Sequence, residues 1–142
     1  RSAHSLETSW RNSMTSRAAY WLVVAFVLSF FAVGVPYWQI PYAKVSLPNT
    51  LYDMGLLVVG VLAAATRALG KARFLAVTLA VGAAVPAPIL VRIAVDTVKD
   101  PTSHNLWPFE FIIAAVLGVI CSSAGTLVGS VPLLLSRHHD AA

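Results

Sequence analysis

Charge is scarce in this sequence. Only 11% of its 142 residues are Asp, Glu, Lys or Arg, and 58% are hydrophobic. Soluble domains carry about 25% charged residues. A surface built from so few charges is itself apolar, and lipid is the natural solvent for such a surface. The single cysteine, Cys121, excludes an intrachain disulfide and a cysteine-based metal cluster. There is no Cys-x-x-Cys pair, and no glycine-rich phosphate loop. The histidines, His4, His104, His138 and His139, all fall outside the apolar runs, which excludes a bis-histidine haem between helices. No acidic residue falls in the middle of a run, where a proton- or cation-coupled antiporter would need one. No nucleophile–base–acid arrangement can be placed, so a catalytic site within this chain is hard to assemble, and no cofactor is expected. The formal charge is +4, yet its cations sit at the ends of apolar runs and not on one polar element, which argues against nucleic acid.

What is present is a set of four apolar runs. The first, about residues 18–37, lies in the uncharged stretch between Arg17 and Lys44 and is closed by Pro36 and Pro41. A secretory leader would also begin with a charged segment, but both this run and its leader are long for that reading. The second covers about 51–69 after Pro48-Asn49-Thr50. The third covers about 74–95, behind the tight polar turn Gly70-Lys71-Ala72-Arg73. The fourth covers about 109–135 behind Pro108, a residue suited to a first helical turn. At about 1.5 Å per residue, runs of this length cross a hydrocarbon core of roughly 30 Å. The expected fold is therefore an all-α, four-helix transmembrane bundle forming a single domain over residues 1–142. Its N-terminal segment, with Ser5, Glu7 and Trp10, is expected to form a short interfacial helix.

Basic residues orient it. Arg1, Arg11, Arg17, Arg67, Lys71, Arg73 and Arg137 share one side; Lys44, Arg92 and Lys99 share the other. The positive-inside rule then places both termini in the cytoplasm of what reads as a bacterial inner-membrane protein. The Trp and Tyr residues fall at or beside span ends, including Trp21 on the inner side and Tyr37, Trp38 and Trp107 on the outer, as headgroup-seeking rings do.

Four groups of residues are candidates for a site. Asp53, Arg92, Asp96 and Glu110 fall at the outer ends of three spans and are expected to cluster there. The cluster reads either as structural ion pairing or as a proton or ion site. Arg67, near the inner end of the second run, can reach the headgroups by snorkelling. Gly118, Ser122, Gly125 and Gly129 recur every three or four residues and form a stripe of small side chains for helix contact, within the bundle or with a partner. Pro86 and Pro88 are expected to kink the third span, as a hinge or merely as shape. Asp96, Asp100 and His104 form a weak candidate metal set in the outer loop. Packing faces, aromatic belts and anchors dominate. The leading expectation is a small non-catalytic accessory or structural subunit of a membrane complex, with the lipid bilayer and other membrane subunits or further copies of itself as partners. The alternative is a small oligomeric transporter or channel, for which Thr66, Thr78, Ser122, Ser123 and Thr126 are the polar candidates. The third is a metal- or quinone-associated subunit of a redox complex.

Overall fold

The computed structural model describes the backbone of residues 2–41, 54–99 and 107–139, and the side chains of 16–41, 54–99 and 107–136. Those residues are helical apart from short turns. Five helices follow in order: α1, Ser2–Gln39; α2, Met54–Gly70; α3, Phe74–Ala83; α4, Pro86–Lys99; and α5, Trp107–His139. Three segments are long and apolar enough to cross a membrane, namely Ser16–Gln39, Phe74–Lys99 and Trp107–Ser136. The shorter apolar helix α2 completes a four-helix bundle with the α3–α4 pair acting as one span.

The chain departs from its sequence pattern at several points. Instead of a separate interfacial helix, α1 runs unbroken from Ser2 to Gln39 and carries Pro36 within it. Proline removes one helix N–H and so frees the carbonyl four residues earlier, Ala32. Gly55 of α2 crosses α1 at that level; a Cβ added there would lie 2.9 Å from the Ala32 oxygen. The third span is not one kinked helix but two, with a turn at Ala84–Val85. Pro86 cannot donate to Gly82, and Val85 N–H takes that carbonyl instead at 3.2 Å, one residue closer in sequence. Ala84 N–H likewise reaches back only to Val81. At its far end the span continues to Lys99, so Asp96 lies on a helix and not in a loop.

Packing follows residue size. On α2, Gly55, Leu56, Val59, Ala63, Thr66 and Gly70 are buried. Their spacing lays them along one side, and Met54, Leu57, Val61 and Leu69 are exposed on the others. Val59, Ala63, Val77, Val81, Val85, Ile89 and Ala114 form a fully buried centre. Helices α1 and α5 lie across from one another, each packed on α2 and on α3–α4. The outside is the reverse of a soluble protein. Only 22% of the apolar window of α1 and 28% of that of α5 are buried within the chain. Leu75, Leu79, Ile120, Leu127 and Val128 stand exposed, a contiguous apolar girdle that water would not tolerate and acyl chains would.

The α2–α3 turn is tight for an unusual reason. Gly70 has an ordinary helical backbone, and it is glycine because Trp21 lies against it; a Cβ there would meet the Trp21 Cβ at 2.9 Å. The left-handed residue that ends the helix is instead Lys71, at φ 51°. For a residue with a Cβ that conformation costs about 1–2 kcal/mol.

Candidate functional site

At the end of the bundle where α1 stops and α4 finishes, Arg92 links the two helices. The last carbonyls of any helix lack intrahelical donors. Here Arg92 Nη1 donates to Tyr37 O at 2.8 Å and Nη2 donates to Ile40 O at 2.9 Å. The guanidinium also lies over the Tyr37 ring, 4.9 Å from its centroid, in a cation–π contact. Its Nε stands 3.5 Å from Asp96 Oδ2, one helical turn on. With its side chain only 11% exposed, Arg92 is a largely covered cation satisfied chiefly by backbone dipoles. Tyr37 is 2% exposed, so it belongs to this contact and not to the headgroup belt.

The same pair of helices meets again one turn deeper. Trp38 Nε1 donates to Pro88 O at 3.1 Å. Gly34 leaves room for the Pro88 ring, whose Cβ would stand 3.0 Å from a Cβ at Gly34. Phe30 packs edge-on against Trp38 at 5.6 Å between ring centres. Pro86 and Pro88 are thus buried helix-contact residues, and Pro88 supplies both a surface and an acceptor to α1. A shallow cavity of about 300 Å³ opens beside them, lined by Trp38, Val91, Arg92, Val95 and Asp96.

Of the outer charge set, then, Arg92 and Asp96 are joined directly. Glu110 stands half-buried in the first turn of α5, and Asp53 lies outside the described residues. The candidate metal set is divided: Asp100 and His104 lie outside the described residues, and Asp96 faces Arg92.

The small-residue stripe of α5 lies inside the chain. A Cβ at Gly125 would collide with the Gly60 carbonyl oxygen of α2, and one at Gly129 with that of Ala64. A Cβ at Gly118 would collide with the Gly82 carbonyl oxygen of α3. Ser122, fully buried, donates to Thr78 O at 2.9 Å and stands 2.9 Å from the position of a Gly82 Cβ. This face joins α5 to α2 and α3, and all four of its residues are buried within the chain.

Hydroxyls line the same helix. Thr126 donates to Ser122 O at 2.6 Å and Ser130 to Thr126 O at 2.8 Å. At the far end Arg67 Nε donates to Ser130 Oγ at 3.0 Å, and Arg67 Nη1 to Ala72 O at 2.6 Å. Arg67 therefore turns inward to tie α2 to α5 and to the turn, where its length alone suggested snorkelling to headgroups. Ser29, Thr66 and Thr78 are buried with hydroxyls that have no hydrogen-bond partner among the described residues. The residues that sequence reasoning missed are Tyr37, Trp38, Ile40, Ser130 and Ser29. The contacts to Tyr37, Ile40, Pro88 and Ala72 are accepted by backbone carbonyls, which carry no side-chain signature.

Comparison with known proteins identifies no relative: no family model, no curated protein and no solved structure matches this chain.

Proposed function

We propose that this chain is a small, non-catalytic accessory subunit that packs within a larger membrane complex. One observation carries the reading. The groups most able to do chemistry or open a path are committed to holding helices together: Arg92 closes α1 onto α4, Arg67 closes α2 onto α5, and the glycine stripe brings backbones into contact through the middle. A filled centre of Val59, Val77, Val81, Val85 and Ile89 suits a rigid module better than a conduit. The wide apolar girdle supplies a surface that can meet lipid or another membrane protein.

Gentle extraction from native membranes followed by mass spectrometry tests this. One membrane protein should accompany the chain at fixed stoichiometry and survive dilution. The competing reading, an oligomeric transporter, draws on the partnerless hydroxyls of Ser29, Thr66 and Thr78. It wins if the chain elutes only with copies of itself and carries solute or ion flux in sealed vesicles.

The reading includes an orientation, with both termini in the cytoplasm of a bacterial inner membrane. It rests on the distribution of Arg and Lys, seven of ten on the side of the termini. In intact cells a cysteine introduced at Ser46 or Ser103 should react with a membrane-impermeant maleimide, and one added at either terminus should not. Labelling of the termini would reverse the topology.

A further inference from the structure

The inner end of the bundle holds a groove of about 360 Å³ lined by Arg67, Lys71, Ser130, Leu133, Leu134 and Ser136. A second, of about 170 Å³, lies on the other side of Lys71 against Arg17, Leu69 and Gly70. Among the described side chains, positive charge here faces no carboxylate. The carboxylates among the described side chains, Asp96 and Glu110, belong to the opposite end. The side chain of Lys71 has neither an ion pair nor a hydrogen bond among the described residues, and nor do those of Arg17 and Arg73.

We propose that the larger groove binds one anionic phospholipid, with its phosphate on Arg67 and Lys71 and its proximal acyl chain along Leu133 and Leu134. Each part of the groove matches a part of that molecule. Arg67 is held in place by its bonds to Ser130 Oγ and Ala72 O, and the remaining guanidinium N–H donors are left for a ligand. A guanidinium fixed before binding loses little freedom when it takes a phosphate oxygen. Lys71, in its left-handed turn conformation, supplies a mobile second cation and three more donors. Ser130 and Ser136 add hydroxyls to the same groove, further donors for phosphate or ester oxygens. Leu134 is exposed, so an acyl chain lying along it would cover apolar surface that nothing else among the described residues covers. Basic pockets between membrane helices at the headgroup level recognise acidic lipids by this combination of charge and apolar flank. A soluble anion would use the charges alone and leave the leucines uncovered. The proposal concerns the membrane-embedded chain itself and stands whichever protein meets its flank.

The test uses the full chain in a neutral maltoside detergent. Dioleoylphosphatidylglycerol, dioleoylphosphatidylcholine and inorganic phosphate are titrated separately; the unfolding temperature is followed by tryptophan emission and retained lipid by native mass spectrometry. Phosphatidylglycerol should be retained one per chain and raise the unfolding temperature; phosphatidylcholine and phosphate should do neither. Lys71→Gln should weaken retention about fivefold, the effect of one basic side chain near a lipid phosphate. Ser136→Asp, which sets a negative charge in the groove, should abolish it. Arg73→Gln, outside the groove, should change it less than about twofold. Both groove positions are exposed, so the lipid-free unfolding temperature should match the wild type. Equal retention of the two lipids overturns the proposal. So does an equal effect of Lys71→Gln and Arg73→Gln, which would show diffuse surface attraction. A full shift from phosphate alone would assign the cations to a free anion and overturn the lipid.

Discussion

Gly125→Leu is expected to destabilise the bundle by about 3 kcal/mol or more, the upper part of the range for overpacked interiors. The reason is that no side chain stands between α5 and α2 at this crossing. The space for a Gly125 Cβ is already taken by the carbonyl oxygen, carbon and Cα of Gly60, and backbone cannot rotate aside as a side chain can. The helices must separate, and the loosened contact runs on to Gly129 and Ala64 one turn away. In lipid no hydrophobic gain compensates, because close packing is itself what drives helices together. The crossing is asymmetric, which sharpens the prediction. A Cβ at Gly60 would meet the Cys121 sulfur at 3.5 Å, an ordinary contact. Gly60→Ala should therefore be neutral or slightly stabilising, since alanine favours helix by about 1 kcal/mol. Gly125→Ala, adding the same single methyl, should be clearly destabilising. Val116→Leu, at a position 51% exposed on another face of α5, should change stability by less than about 0.5 kcal/mol. Detergent unfolding of the four variants measures this; equal behaviour of Gly60→Ala and Gly125→Ala would show that α2 and α5 do not cross as described.

Arg92→Ala should be the most damaging change of a charged residue, at about 2–4 kcal/mol. Two carbonyls at the end of α1, Tyr37 O and Ile40 O, would lose their charged donor, the Tyr37 ring its cation and Asp96 its partner. Most of the loss comes from the carbonyls. Asp96 is 30% exposed, and solvent screens that pair. Asp96→Asn should accordingly cost under about 1 kcal/mol, and the double variant should be little worse than Arg92→Ala alone. Lysine at 92 should recover only part of the stability, because a single ammonium does not reproduce the fork that reaches two carbonyls at once. Arg73→Ala, exposed in the turn, should cost less than about 0.5 kcal/mol. A large effect of Asp96→Asn would instead mean that the ion pair is the principal contact.

These two variants also mark where sequence reasoning reaches its limit. The stripe of Gly118, Ser122, Gly125 and Gly129 is legible from spacing alone, because residues three and four apart share a helix face whatever the tertiary structure. Its use is not, because a stripe that excludes bulk serves an internal neighbour and an external one equally well. Placement of Gly60, Ala64 and Gly82 opposite it decides for the interior. Arg92 is legible as a cation at the end of a span, where the helix dipole favours it. Its first partners are not, because carbonyls at Tyr37 and Ile40 are common to every residue and differ only in where α1 happens to stop.

Composition and periodicity by themselves determined that the chain is an all-helical, membrane-like bundle and where its four apolar segments lie. Water excludes so apolar a surface, and lipid forbids unpaired backbone, so long apolar runs must become helices before any contact between them is known. Tertiary structure alone decided how those helices are joined. It continued α1 through Pro36, split the third span at Ala84–Val85, buried Tyr37 beneath Arg92 and turned Arg67 inward toward Ser130. Each of these depends on the satisfaction of particular carbonyls and hydroxyls. The split at Ala84–Val85 is local, but the carbonyl and hydroxyl partners of Arg67 and Arg92 lie between 5 and 63 residues away in sequence, and most become neighbours only when the helices pack.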